Sequence, residues 1–233
     1  MFARPHWPSL RSAVSDLSWL LSRGYADKST LKLVGDRFQL AQRQRIAVRR
    51  CACSDAARAS RHGKQVAAGA LRGAALLLDG FNVLTTIEAA LAGGVLLLAR
   101  DGCVRDMASM HGSYRKVRQT LPAIEMIGRH LQGLGVAQCV WYLDAPVSNS
   151  GRLKTILVEV AKAHDWPCDV QIVPNADQAL LDAANVVATA DSAVLDRAAS
   201  WFNLATAILN DSYRAANMVD MGVEGGKDGK DHH

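Results

Sequence analysis

The sequence predicts an α/β fold: a doubly wound, mostly parallel sheet joined to a basic, mainly helical N-terminal region. Three observations lead there. Short apolar runs stop abruptly at aspartate, as in Leu76-Leu77-Leu78-Asp79, which is how strands buried on both faces read. From residue 74 onward such runs alternate with stretches of helical spacing, the pattern of a sheet covered by helices. The charge also changes sign near that boundary. Residues 1–75 carry 14 Lys and Arg against 4 Asp and Glu, a balance of +10, whereas residues 76–233 carry 13 against 18, a balance of −5.

These features divide the chain into a basic helical region at 1–73, an α/β domain at 74–210 and a flexible tail at 211–233. Ser9 to Ser22 reads as a helix: Ser9 can cap it, and Leu10, Val14, Leu17, Leu20 and Leu21 form one apolar stripe. Gly24 ends it. Ser29 to Leu40 has only short apolar clusters and receives no single assignment. Leu40 to Ala52 is helical, with Arg43, Arg45, Arg49 and Arg50 forming a dense basic cluster. Ser54 to Ala70 is either a further helix or a connection. Strands are predicted at 75–79, 138–144, 168–173 and 185–190. Helices are predicted at 84–92, 120–133, 151–164, 176–184 and 192–208. Val95 to Leu98 adds a short strand or packs as a buried loop. The tail from Gly222 is glycine and charge, which cannot bury a core, and His232 and His233 within it carry no motif.

Asp79 stands at the carboxyl end of its strand, the edge where open α/β sheets place their ligands. Gly80 allows a sharp turn there, and Asn82 brings a second side-chain oxygen toward the same crevice. Val140-Trp141-Tyr142-Leu143 leads into Asp144, and Val186 to Ala190 leads into Asp191. If these strands are neighbours, their carboxylates converge. Two carboxylates about 4 Å apart repel by roughly 4 kcal/mol at an effective dielectric of about 20. Such a cluster therefore calls for Mg²⁺ or Mn²⁺, or for strongly raised pKa values. The alternative is that each aspartate caps the helix after its strand.

Composition narrows the class. With 49% apolar and 21% charged residues the chain is expected to be globular rather than disordered. No apolar run approaches the roughly 20 residues a bilayer span needs, so no membrane role is expected. The N-terminus lacks the continuous apolar core of a signal peptide, and the cytoplasm is the expected location. Arg4, Arg11 and Arg23 with several serines imitate a transit peptide, against which Asp16 and the helix past Leu20 argue. The five cysteines (Cys51, Cys53, Cys103, Cys139, Cys168) are scattered and are read as reduced and non-catalytic.

Asp79-Gly80-Phe81-Asn82-Val83-Leu84 resembles the first-strand motif of PIN-like and NYN-type nucleases. Leu143-Asp144-Ala145 is similar to the second-strand acid of the NYN branch. Asn175-Ala176-Asp177, followed by Thr189-Ala190-Asp191-Ser192, is similar to its paired late acids. Over residues 10–208 the chain also resembles a prokaryotic family, domain of unknown function 434. That likeness rests on Leu21-Ser22-Arg23-Gly24-Tyr25, Val34-Gly35-Asp36-Arg37-Phe38, Arg43-Gln44-Arg45, Arg100-Asp101-Gly102 and His111-Gly112-Ser113-Tyr114-Arg115-Lys116. The resemblance implies a PIN-like domain that hydrolyses phosphodiester bonds, usually in RNA, with Mg²⁺ or Mn²⁺. By it Asp79, Asp144, Asp177 and Asp191 are metal ligands and catalytic acids, and Asn82, Thr189 and Ser192 orient ligands or water. An acid between the first and second strands is also expected, with Glu125 the first candidate and Glu88 behind it.

Nucleic acid, RNA above all, is the partner expected for Arg43, Arg45, Arg49, Arg50, Arg105, Arg115 and Lys116, with Tyr114 stacking on a base and His111 a candidate general acid. The bland reading of these groups is a solvated face, or pairing between Arg and Asp neighbours. A haloacid-dehalogenase-type phosphatase is disfavoured because Phe81 stands where its second acid belongs. The remaining rival is a catalytically inactive RNA-binding or assembly module. A homo-oligomer stays open, since Trp19, Trp141 and Trp201 suit a core as well as an interface.

Overall fold

The computed structural model describes residues 1–107, 114–213 and 217–222. Helices Trp7–Ser22 (α1), Asp27–Arg37 (α2), Gln42–Cys51 (α3) and Asp55–Lys64 (α4) make up the N-terminal region. Strand Ala75–Asp79 (β1) then runs directly into helix Gly80–Leu91 (α5). Short strands Leu96–Leu98 (β2) and Val104–Asp106 (β3) precede helix Thr120–Leu134 (α6). Next come Gln138–Asp144 (β4), Ser150–Ala163 (α7), Cys168–Val173 (β5), Ala176–Asp182 (α8), Val186–Ala188 (β6) and Ser192–Arg197 (α9). Trp201–Phe202 (β7), Leu204–Ser212 (α10) and Met218–Asp220 (β8) follow.

The main sheet has the order β5-β4-β1-β6-β7, and every pairing in it is parallel. Strand β1 is central, and the chain winds outward from it first to one side and then to the other. The alternation of β1 decides its two covers. Leu76 and Leu78 point into a core shared with α5, α6, α7 and α10, while Leu77 joins Val140, Val187, Leu180 and Val194 beneath α8 and α9. This is the doubly wound arrangement that the apolar runs predict.

Helix α5 starts at Gly80, four residues before the predicted 84, and strand β3 was not predicted; three further elements also depart from expectation. Ser9 lies inside α1, which begins at Trp7 with Pro8 in its first turn and no side-chain cap. The stretch 192–208 is not one helix: β7 interrupts it, because Trp201 pairs with Val187 and its indole donates to the Arg61 carbonyl at 2.7 Å. Residues 218–220, assigned to the tail, form β8, which completes a small β3-β2-β8 sheet. That sheet lies against α1 and α3, and Leu97, Val219 and Met221 share a core with Leu10, Val14, Leu17 and Val48. The N-terminal region is therefore packed onto the α/β part rather than held out as an arm. The rest of the expected tail, 223–233, lies outside the described residues, as does His111. Among the described residues no helix is long and apolar enough to cross a membrane.

Candidate functional site

The order reverses between β1 and β6, and at such a switch point the strand ends leave a crevice. Asp79 lies there at the junction of β1 and α5. Its carboxylate caps α5 by accepting from the Asn82 backbone N–H at 3.4 Å, and it accepts from the Thr189 hydroxyl at 2.7 Å. Thr189 in turn accepts from the Asp191 N–H at 3.0 Å, and the Asn82 side-chain oxygen accepts from the Ala190 N–H at 2.8 Å. Four residues predicted for the site thus knit the ends of β1 and β6 together. Gly80 is required here for a different reason from the turn first supposed. A Cβ on it would stand 2.6 Å from a Leu143 methyl and 2.7 Å from the Tyr142 carbonyl oxygen, so only glycine lets α5 start this close to β4.

The other two acids stand at the end of β4 and in the first turn of α8. Asp144 ends β4 and accepts from the Ala176 N–H at 2.8 Å, which fixes the start of α8 and sets Asp177 near it. Asp191 caps α9 by accepting from Ala193 and Val194 at 2.7 and 3.2 Å. The capping expectation holds for Asp79 and Asp191, whereas Asp144 anchors α8 rather than the helix that follows its own strand; of the four acids, Asp79 and Asp191 line one common cleft. Burial pushes the Asp79 carboxyl up to about 7, against the pull of the Thr189 hydrogen bond, and the negative charges of Asp177 and Asp191 push it the same way. Asp177 is raised too, by partial burial and then by Asp191 and Asp144.

Among the described residues no group of three or more His, Cys, Asp and Glu side chains is gathered in a metal-holding arrangement. The donor chemistry nevertheless suits a hard divalent ion, because every contributing atom is a carboxylate or hydroxyl oxygen. The charged neighbours that shift Asp79 are both negative, which is the situation a bound cation would relieve.

A cleft of about 840 Å³ opens in front of Asp79, Asn82 and Asp191, and Arg45, Arg49 and Arg50 of α3 form its opposite wall. The basic cluster and the acidic edge therefore face each other. Arg49 is exposed and pairs with Asp27 at 2.8 Å. Arg45 lies over Gly35, where a Cβ would come within 2.3 Å of its guanidinium, and pairs with Asp36 at 2.8 Å. Arg43 is exposed on the same helix but does not line the cleft. Arg115 and Lys116 are exposed just after Tyr114, whose N–H donates to the Ser148 carbonyl in the loop following β4, on the acid-bearing edge.

Several predicted residues are placed otherwise. Glu125 is remote from the crevice: it pairs with Arg129 at 2.7 Å in a separate depression beside His130 and Asp211. Its position on α6 faces outward because Ala123, Ile124 and Ile127 take the buried stripe. Glu88 is buried and accepts from the Tyr114 and Thr120 hydroxyls. Tyr114 consequently cannot stack on a base; its ring lies in the core 5.5 Å from that of Phe81. Arg105 is not a surface phosphate contact either. It donates to both oxygens of buried Asp101 at 2.8 and 2.7 Å and to the Ala190 carbonyl at 2.8 Å. Ser192, by contrast, lines the cleft beside Asp191 as expected, and it also receives long bonds from Arg105 and Arg61, at 3.3 and 3.4 Å.

The pairing of Arg105 with its neighbour Asp101 is the bland reading of this segment, but the part played by α4 and α9 was not foreseen. Arg61 of α4 reaches across to Asp101 and Asp196, and Lys64 donates to the Leu195 and Asp196 carbonyls at 2.8 and 2.9 Å, docking α4 on α9. The same ties hold the Ala190–Ser192 turn beside Asp79. A second unforeseen residue is Asp106, which lines the cleft, accepts from Thr86 at 3.0 Å and lies within ionic reach of Arg50. An acid interrupting Leu96-Leu97-Leu98-Ala99 and Cys103-Val104 is the signal for Asp101, since a carboxylate amid buried residues needs a cation.

Comparison with known proteins agrees with this two-part construction. Residues 9–64 match the model of a protein of unknown function (DUF434), and residues 68–207 match that of a domain of unknown function (DUF5616). The seam between the two matches falls just after α4. A curated relative, uncharacterized protein MJ0935 of Methanocaldococcus jannaschii, is 31% identical over 187 residues, which cover 80% of this chain and 89% of the relative. No solved structure matches. The matched α/β part takes up more than half of the sequence, and the chain accordingly belongs to the DUF5616 family, with a DUF434 region joined in front of it.

Proposed function

We propose that the protein is a metal-dependent nuclease that hydrolyses phosphodiester bonds in RNA, built on a PIN-like site. The observation that carries this reading is the buried carboxylate of Asp79 at the switch point, pressed by Asp177 and Asp191 and faced across the cleft by Arg49 and Arg50. Asp79, Asp177, Asp191 and Asp144 would hold Mg²⁺ or Mn²⁺, which when bound supplies an activated water and neutralises charge on phosphate oxygens. The chain's own groups do the rest. Thr189 orients Asp79 through its hydroxyl, and the Asn82–Ala190 bond keeps the strand ends in register. Arg49 and Arg50 draw the phosphate backbone into the cleft and hold it against the acidic edge.

The test is Asp79→Asn. That change keeps the acceptor for Thr189 while removing the charge, so the folded protein should lose Mn²⁺-dependent cleavage of a mixed RNA pool. Cleavage at the wild-type rate by the variant would overturn the assignment. A second reading is favoured by one observation: three of the four acids already cap or anchor helices, and no metal-holding group is formed among the described residues. On that reading the chain is an RNA-binding module without catalysis. Wild-type protein that binds RNA, yet neither cleaves it nor shows anomalous scattering from Mn²⁺ in soaked crystals, would select it.

A further inference from the structure

Cys139 and Cys168 are scattered in the sequence yet are direct register partners on the neighbouring parallel strands β4 and β5. Their sulfurs stand 2.9 Å apart, with the Cys139 thiol donating to the Cys168 sulfur. Neighbouring strands lie about 4.8 Å apart, within the Cα separation of roughly 4.4–6.8 Å that a disulfide tolerates. Bonding at about 2.05 Å needs the sulfurs to approach by only about 1 Å more. An apolar cavity of about 40 Å³ adjoins both sulfurs, so side-chain adjustment is not blocked. Cys139 is buried and Cys168 is partly exposed, giving the pair one open sulfur and one sheltered sulfur.

We propose that Cys139 and Cys168 form an oxidisable dithiol that closes to an interstrand disulfide by exchange with a low-molecular-weight disulfide, stapling β5 to β4. The Cys168 thiolate attacks one sulfur of the oxidant, forming a mixed disulfide and expelling one thiolate. The Cys139 thiol then gives up its proton and attacks the Cys168 sulfur, expelling the second thiolate. Two electrons pass from the two cysteines to the oxidant, which leaves as two thiols carrying the two cysteine protons. The division of roles follows the hydrogen bond. The proton donated by Cys139 stabilises a thiolate on Cys168 and lowers its pKa, while Cys139 is raised correspondingly. The other three cysteines are buried, and burial pushes the Cys51 and Cys103 thiols up to about 12, so they stay inert in the folded protein.

The staple has a structural purpose. Strand β5 is an edge strand bonded only to β4 within the sheet, and edges are where sheets open. The bridge lies at the opposite end of these strands from Asp144, so it secures the edge without touching the aspartates. To test it, reduced full-length protein is exposed under native conditions to oxidised glutathione, alkylated, unfolded and mapped by mass spectrometry. Two of the five thiols should disappear, and one linked peptide pair should join Cys139 to Cys168 and vanish with dithiothreitol. The Cys139→Ser variant should stop at a glutathione adduct on Cys168, and Cys168→Ser should form neither species. Should a serine variant fail to fold, the wild-type peptide map decides alone. Retention of all five thiols, or a bridge that appears only in unfolded protein or joins other cysteines, overturns the proposal.

Discussion

Asp79 has an ordinary carboxylate value of 3.8 in the unfolded chain and about 7 in the folded one. Below pH of about 4 the group is neutral in both states and has no effect on stability. Between there and about 7 the unfolded chain ionises while the folded chain keeps its proton, so stability falls as pH rises. Above 7 the buried charge opposes folding in full. Asp79→Asn removes that opposition, and the variant should be more stable than wild type at pH 8 by an amount on the order of a few kcal/mol. The gain should shrink toward nothing near pH 4. Urea unfolding at the two pH values measures it, and equal stabilities at pH 8 would show that Asp79 carries no electrostatic strain. This residue was legible in the sequence because an acid ending an apolar run has few explanations. Tyr114 and Arg105 were not. Beside glycines and charges they look like surface groups, and only the packed structure shows the phenol bonded to Glu88 and the guanidinium locked on Asp101.

At the scale of elements, Arg61 ties α4 both to α9, through Asp196, and to the segment between β2 and β3, through Asp101, which it shares with Arg105. Burial alone would raise the Asp101 carboxyl, but the Arg105 and Arg61 guanidiniums outweigh it and hold the group down to about 2. The stability it contributes is present above the unfolded value of 3.8 and is lost as pH falls through about 2. Asp101→Asn leaves two buried guanidiniums short of a counter-charge, which should destabilise the protein by about 3–5 kcal/mol at neutral pH. A thermal midpoint within a degree of wild type would mean that Asp196 and the backbone carbonyls suffice for both arginines. The strands β1, β4 and β5 were readable to the residue, β1 and β4 as bounded apolar runs and β5 as an alternation of apolar with polar residues, Asp169 and Gln171 standing between Cys168, Val170 and Ile172. The split between α9 and α10 was not, since Ala198 and Ala199 continue a helical pattern and only the pairing of Trp201 with Val187 breaks it. Strand β8 was equally hidden: three residues near a polar tail become a strand only by meeting β2, more than a hundred positions earlier.

For the whole molecule, the consequence of this packing is that a region of positive charge is turned inward across a cleft from a region of negative charge. The asymmetry was visible as a sum, but its orientation required the core that joins α1 and α3 to Leu97 and Val219. Part of the positive charge is already answered within the fold, by Asp101, Asp196, Asp36 and Asp27. What separates these pairs is burial. Arg61 is 4% exposed and committed to structure, whereas Arg49 is 64% exposed and its bond to Asp27 is a surface pair worth about 0–1 kcal/mol. A phosphate can displace Asp27 from Arg49 at little cost, and the released arginine still faces the aspartates. Binding of single-stranded RNA to the Asp79→Asn protein should therefore weaken steeply with salt, and adding Arg49→Ala should reduce the log–log slope by about 0.7. Arg43→Ala, on the same helix but off the cleft wall, should change the slope less. If the two arginine variants lower it equally, charge acts only as a diffuse field. If neither lowers it, the cleft is not where the backbone runs, and the basic helix serves the fold alone.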